Sequence, residues 1–304
     1  MDGIIVINKP AGMTSSSAVQ AVRKIFPGSK AGHTGTLDPL ATGVLPVCLG
    51  RATRLTEYII ELPKTYRAGI VLGKSTVTGD AEGEIIEDAS LPELNREQVE
   101  EAVFKFKGEI EQLPPYYSAV KHRGKPLYHW TRKGKEVPRK IRRATIYDIE
   151  LIHFDPGSEP HLSIRVECSK GTYIRTLAVD IGAELGCGAY LSALERTAVG
   201  PFRLEDAYTL PEAAEMAEQD RAAEMVQPMD KSLLQFPELR LESGQVEALK
   251  NGLIINLLSG DIPAGLLPGT PIRVYDREGG FKALAALLEG EGRPRLKTLK
   301  YLES

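Results

Sequence analysis

Ala31-Gly32-His33-Thr34-Gly35-Thr36-Leu37-Asp38-Pro39-Leu40-Ala41-Thr42-Gly43 sets one carboxylate in a loop of small residues, with a histidine five positions before it. Gly32, Gly35 and Gly43 let a ligand or a second stretch of backbone approach with no Cβ in the way. Pro39 turns Asp38 away from the α region toward an extended backbone, so the carboxylate is presented and not wound into a helix. Such a setting suits a carboxylate that acts as a nucleophile. The glycines lack the G-x-x-x-x-G-K-S/T spacing of a phosphate-binding P-loop, which discriminates against a nucleotide-hydrolysing enzyme.

Outward from this loop, the chain mixes strands and helices. Before it, Gly3 to Asn8 reads as a short apolar strand ended by Lys9-Pro10-Ala11-Gly12. Thr14 to Ser17 offers N-caps for a helix through Phe26, with Val19, Val22 and Phe26 on one face. After it come a buried strand (Val44 to Leu49), a helix (Thr53 to Leu62) and an alternating strand (Lys64 to Gly73). Arg96 to Lys107 is an amphipathic helix closed by Gly108. Ile146 to Phe154 and Leu162 to Cys168 are strands, Thr172 to Leu185 a helix, and Leu191 to Val199 a strand. No strict βαβ rhythm appears. The expected fold is therefore α+β, a mixed and largely antiparallel sheet flanked by helices. Past Pro201 the composition shifts. Pro211 to Glu224 is acidic and helical, and from Phe236 short strands and Gly/Pro turns predict a separate small β module.

The chain has 304 residues, 42% hydrophobic and 26% charged, an ordinary globular composition. Met1 to Pro10 has no basic leader before a long apolar stretch, and no apolar run reaches membrane-spanning length, so a cytoplasmic enzyme is expected. Cys48, Cys168 and Cys187 form no CxxC pair, so they predict neither a disulfide framework nor a zinc site. The net charge of −3 hides an asymmetry. Lys121 to Arg143 holds ten cations, Lys121, Arg132, Lys133, Arg139, Arg142 and Arg143 among them, against Glu136 alone. Tyr116, Tyr117, Tyr128 and Trp130 lie in or beside it. The pattern fits a loop–helix–loop excursion that meets phosphates, with aromatics able to stack on bases; a solvated basic face reads equally well from charge alone.

Besides Asp38, His33 shares its loop. Tyr66 starts a strand. Tyr173 and Arg175 stand at the strand-to-helix junction Ser169-Lys170-Gly171-Thr172-Tyr173-Ile174-Arg175. A helix N-terminus of this kind favours anions, and an arginine there can hold a carboxylate ionised and oriented. Each has a plainer reading: a structural histidine, a core tyrosine with a wet hydroxyl, an ordinary N-cap. Asp38 and Asp80 suggest a metal pair, but no further ligands cluster with either.

Six ordered blocks then coincide with one family. Gly3 to Thr14 (GIIVINKPAGMT), Gly32 to Pro46 (GHTGTLDPLATGVLP), Lys64 to Arg67 (KTYR), Pro115 to Lys121 (PYYSAVK), Cys168 to Thr176 (CSKGTYIRT) and Leu185 to Ala189 (LGCGA) stand in the family's order. The chain resembles the TruB family of bacterial tRNA pseudouridine-55 synthases along nearly its whole length. The resemblance implies a pseudouridine synthase fold at 1–235, with an RNA-gripping insertion at about 110–145. The module at 236–304 looks, by position and size, like an RNA-binding PUA barrel. It implies isomerisation of uridine 55 in the tRNA T-loop, with no cofactor and no metal. Asp38 matches the catalytic aspartate, Tyr66 a tyrosine that packs on the base and helps move a proton, and Arg175 the arginine that pairs with the aspartate. His33 matches a support for flipped-out nucleotides, Tyr173 and Leu194 line the uridine pocket, and Lys9 and Pro10 edge the site. Lys64 and the cations of the basic segment would meet the RNA backbone. Departures fall at Val77, His129 and Glu195, where the family often has acidic, acidic and basic residues. The expected partner is the T-arm of tRNA, for a monomer needing no membrane or obligate protein. The competing readings are an RNA-binding or folding-assistance protein and a synthase for another RNA uridine.

Overall fold

The first strand, β1 (Gly3–Lys9), is apolar on both faces because both faces are covered. Ile5 and Ile7 enter one core and Ile4 and Val6 another. It belongs to a computed structural model that describes residues 1–88, 93–118, 121–122, 124–131, 133–135, 137–258, 262, 265–289 and 293–303. β1 pairs with β3 (Thr42–Leu49), and β2 (Ala31–His33) lies beside β3. Next in the sheet come the strand Ala189–Val199, then β4 (Lys64–Leu72), His161–Cys168, Arg142–Asp155 and Gly108–Gln112. Every ladder in this sheet is antiparallel except the join of Ala189–Val199 to β3, where Glu195 faces Thr42 and Arg196 faces Gly43. That parallel join lies immediately past the Asp38 loop.

Helix α1 (Ser15–Ile25) and the helices Arg96–Phe104 and Ile174–Glu184 cover one face. Their Val19, Val22, Val99, Val103, Leu177 and Ile181 pack with the strands in one core. Thr14 caps α1 by accepting from the Ser17 amide.

The terminal module is a five-stranded sheet ordered Glu238–Arg240, Pro271–Tyr275, Phe281–Leu287, Arg295–Tyr301, Ile255–Asn256. It is a curled half-barrel, in line with the small β module expected from the composition. Its Tyr275, Phe281, Leu284 and Leu302 pack directly under Ile4, Val6 and Val44.

Three expectations need correction. Thr53 to Leu62 divides into a 3-10 turn (Gly50–Leu55) and a short α-helix (Thr56–Glu61). The strand expected from Ile146 starts at Arg142, because Gly108–Gln112 pairs along it. The basic excursion opens with a hairpin of two-residue strands, Lys121–His122 and Lys125–Pro126, before its helix Leu127–Thr131.

Candidate active site

Asp38 is held from both sides. The Ser15 hydroxyl, at the start of α1, accepts from the Leu37 amide (2.8 Å) and donates to the Leu37 carbonyl (3.1 Å). On the other side the Pro39 carbonyl accepts from the Gly12 amide at 2.8 Å and from Lys9 Nζ at 3.3 Å. Leu37 itself is buried. With both neighbours clamped, the half-exposed Asp38 carboxylate has little freedom to turn away.

Arg175 comes from the first turn of the helix Ile174–Glu184. The entry to that helix is fixed by buried Gln112, whose Oε1 accepts from the Tyr173 amide (2.9 Å) and whose Nε2 donates to the Tyr173 carbonyl (3.1 Å). The guanidinium is 5% exposed. Its Nη2 lies 3.0 Å from Asp38 Oδ2 and donates to the Tyr117 carbonyl at 2.7 Å; its Nη1 lies 3.3 Å from Asp80 Oδ2. Asp80 in turn accepts from the Thr78 hydroxyl (2.5 Å) and the Glu82 amide (3.1 Å). Two carboxylates thus share one cation. Burial pushes the Asp38 carboxyl above the ordinary carboxylate value, Arg175 pulls it down, and Asp80 pushes it up again.

Tyr66 and Leu194 rise from neighbouring strands of the same sheet. Tyr66 is partly buried, and burial raises its phenol above the usual value while Arg196 lowers it. His33 is kept below its ordinary value by burial and by Arg196, so it is neutral at pH 7; its buried Nδ1 has no hydrogen-bond partner. Leu40 and Thr42, just past Asp38, line a cavity of about 420 Å³ with Leu194, Gly69 and Ser163. A larger cavity of about 720 Å³ contains none of Asp38, Tyr66, Tyr173 or Arg175 and has no bearing on their chemistry.

The other expected contacts divide. Lys9 is fully buried, and its ammonium holds the Pro10, Met13 and Pro39 carbonyls. It braces the loop, whereas Pro10 is exposed. Lys64 is 6% exposed and its ammonium turns inward to the Ile60 and Leu62 carbonyls. Lys133, Arg142 and Arg143 are exposed, and Arg139 lies 3.8 Å over the Tyr116 ring. The side chain of Lys121, and Arg132 altogether, lie outside the described residues. Two buried groups at the site, Asp80 and Arg196, are not predicted as partners by the sequence motifs.

A family model described as TruB family pseudouridylate synthase (N terminal domain) matches residues 23–174, and one described as tRNA pseudouridylate synthase B C-terminal domain matches 175–234. Proteins named tRNA pseudouridine synthase B match throughout. That of Azoarcus sp. (strain BH72) is 48% identical over 83% of this chain and 82% of its own. That of Francisella philomiragia is 45% identical over 96% and 93%, and that of Chromohalobacter salexigens 42% over 97% and 94%. The chain belongs to the TruB family. Like its TruB relatives it is an isomerase that makes pseudouridine in tRNA. Among solved structures, a chain of a Cbf5–Nop10–Gar1 complex is 28% identical with a TM-score of 0.76, covering 99% of this chain and 84% of the other. An H/ACA RNP bound to a substrate RNA containing 2′-deoxyuridine gives 26% and 0.76 over 99% and 85%. No helix among the described residues is long and apolar enough to cross a membrane.

Proposed function

We propose that this protein converts uridine 55 of the tRNA T-loop to pseudouridine, with Asp38, Tyr66 and Arg175 as its catalytic residues. The observation that carries the reading is the ionic bridge from Arg175 to both Asp38 and Asp80, set in a TruB sequence. The reaction breaks N1–C1′, rotates the base, forms C5–C1′, moves the C5 proton off carbon and leaves a proton on N1. Attack by Asp38 on C1′ or C6, or removal of a C2′ proton, each requires an ionised carboxylate. Arg175 keeps it so and fixes its direction.

The target nucleotide must leave its stack, at a cost of about a few kcal/mol. Tyr66, His33 and Tyr173 offer surfaces and hydrogen bonds that offset this, with Leu194 closing the apolar side. The Tyr66 hydroxyl passes a proton between C5 and N1. Lys133, Arg139, Arg142 and Arg143 would grip the T-arm backbone by shape and charge. The catalytic unit spans 1–235, and 236–304 serves as a PUA-like RNA-binding module. The enzyme acts as a monomer in the cytoplasm, where tRNA is processed, and the chemistry calls for no cofactor because nothing is oxidised or donated. The test is to treat one unmodified tRNA with the protein and map pseudouridine by mass spectrometry. Pseudouridine at position 55 is expected; its absence there defeats the reading, and pseudouridine elsewhere would reassign the target.

A further inference from the structure

Arg196 is the largest side chain in the interior, 2% exposed, and no carboxylate lies within ion-pair distance of it among the described residues. Its Nε donates to the Val44 carbonyl (2.7 Å) and its Nη2 to the Gly35 carbonyl (3.3 Å), so it ties together the two ends of the Asp38 loop. Across one ladder it stands opposite Tyr66, and across the other, the parallel join, opposite Gly43. A buried guanidinium with only carbonyl partners is costly unless a negative charge visits it.

The titratable groups around it are few. Lys9 on β1 and Lys64 on β4 are cations, and His33 is neutral. Cys168 is kept as a thiol by burial and its Sγ donates to the Lys64 backbone carbonyl. Tyr66 is the one neighbour whose side chain belongs to the site and can carry negative charge.

We propose that Arg196 is a positioning residue for proton transfer, standing across the ladder from Tyr66 and stabilising the phenolate left when its hydroxyl gives a proton to N1 and before it takes the proton from C5. The inference rests on the functional reading above. At that step C5–C1′ has formed. The phenol gives its proton to N1 and becomes a phenolate; the C5–H bond then breaks, its electron pair forms C5=C6 while the N1=C6 pair returns to N1, and the proton passes to the phenolate oxygen. The oxygen carries negative charge between the two transfers, and the Arg196 guanidinium, fixed by the Val44 and Gly35 carbonyls on the strand next to Tyr66, is in place before reaction to stabilise it.

The experiment compares wild type, Arg196→Lys and Arg196→Met on tRNA carrying uridine or C5-deuterated uridine at the target, in single turnover. Arg196→Met should lose about 100-fold in rate with KM unchanged, and deuteration should slow the variant more than wild type. Arg196→Lys, which keeps the charge and the fold, should recover part of the rate. In a double-mutant cycle the Arg196→Lys defect should shrink when Tyr66→Phe is present. Equal defects with and without Tyr66→Phe, or no isotope sensitivity in either variant, would overturn the proposal. Wild type that forms no pseudouridine would overturn the functional reading with it, so the two failures are separable.

Discussion

Arg175 gives one guanidinium to three acceptors: the two carboxylates and the Tyr117 carbonyl. The planar fork makes that sharing possible, and a single ammonium cannot reproduce it. Arg175→Lys should therefore lower the single-turnover rate by about 100-fold or more, since Asp38 loses its aim as well as its counter-charge. A rate within a few-fold of wild type would show that the bridge is incidental. Asp38→Asn keeps the size and removes the charge. Turnover should vanish while tRNA affinity, measured by filter binding, stays within about tenfold, because the contacts that grip RNA lie elsewhere. Asp38 and Arg175 were legible from motif alone, because each sits in a short block with unusual chemistry. Asp80 was not, because its role depends on a hairpin loop folding back so that the Ala81 amide donates to the Leu191 carbonyl and the Leu191 amide to the Gly79 carbonyl. Arg196 was hidden for a similar reason: an arginine in a strand reads as exposed until the sheet order puts it in the middle.

At the level of elements, the parallel seam between β3 and Ala189–Val199 is where the two antiparallel halves of the sheet meet. Gly43 sits in it at φ +99°, and a Cβ there would stand 2.3 Å from the Arg196 carbonyl oxygen. Both the backbone conformation and the contact exclude a side chain. Gly43→Ala should cost roughly 2 kcal/mol or more of stability and displace the Asp38 loop, so thermal midpoint and activity should fall together. An unchanged midpoint would mean that the seam can open without consequence. The apolar strands and the α1 cap were readable from local pattern. Gly108–Gln112 was not: its alternation runs for only five residues, and its pairing partner begins 30 residues later at Arg142. That same pairing sets Arg142 and Arg143 at the rim, beside the helix entry that Gln112 anchors. Arg143 is only loosely paired with Glu111, at 3.5 Å. Changing Lys133, Arg142 and Arg143 to Glu should weaken tRNA binding and flatten its log–log salt slope by about 0.7 to 0.9 for each phosphate left without its cation. If the slope does not move, these cations do not meet phosphates.

The whole molecule has one consequence that no single element carries. Its terminal module is docked on the sheet through Tyr275, Phe281, Leu284 and Leu302, and tied by the Tyr275 hydroxyl to Asp230 at 2.7 Å. The module was visible as a shift in composition, but its docking face was not, because those residues read as ordinary strand interior. The catalytic half buries two lysines, Lys9 and Lys64, each held down to about 8 from 10.5, first by burial. The unfolded chain keeps those protons up to about pH 10.4. Between pH 8 and that value unfolding therefore takes up protons, and stability rises with pH, by at most about 1.4 kcal/mol per pH unit for each lysine. The buried thiols act in the opposite sense. Cys48 is pushed up to about 12 and Cys168 to about 11, so above pH 9 they stay protonated in the fold while the unfolded chain ionises. Tyr275 and Tyr301, each pushed up to about 12, add to that loss above pH 10. The urea midpoint should rise from pH 7.5, pass through a maximum near pH 9, and fall beyond it. Lys64→Met should flatten the rising limb by removing one of its two protons. A wild-type midpoint that declines steadily from pH 7.5 would mean that both ammonium groups keep their protons in the fold, and that the carbonyl cages around them outweigh their burial.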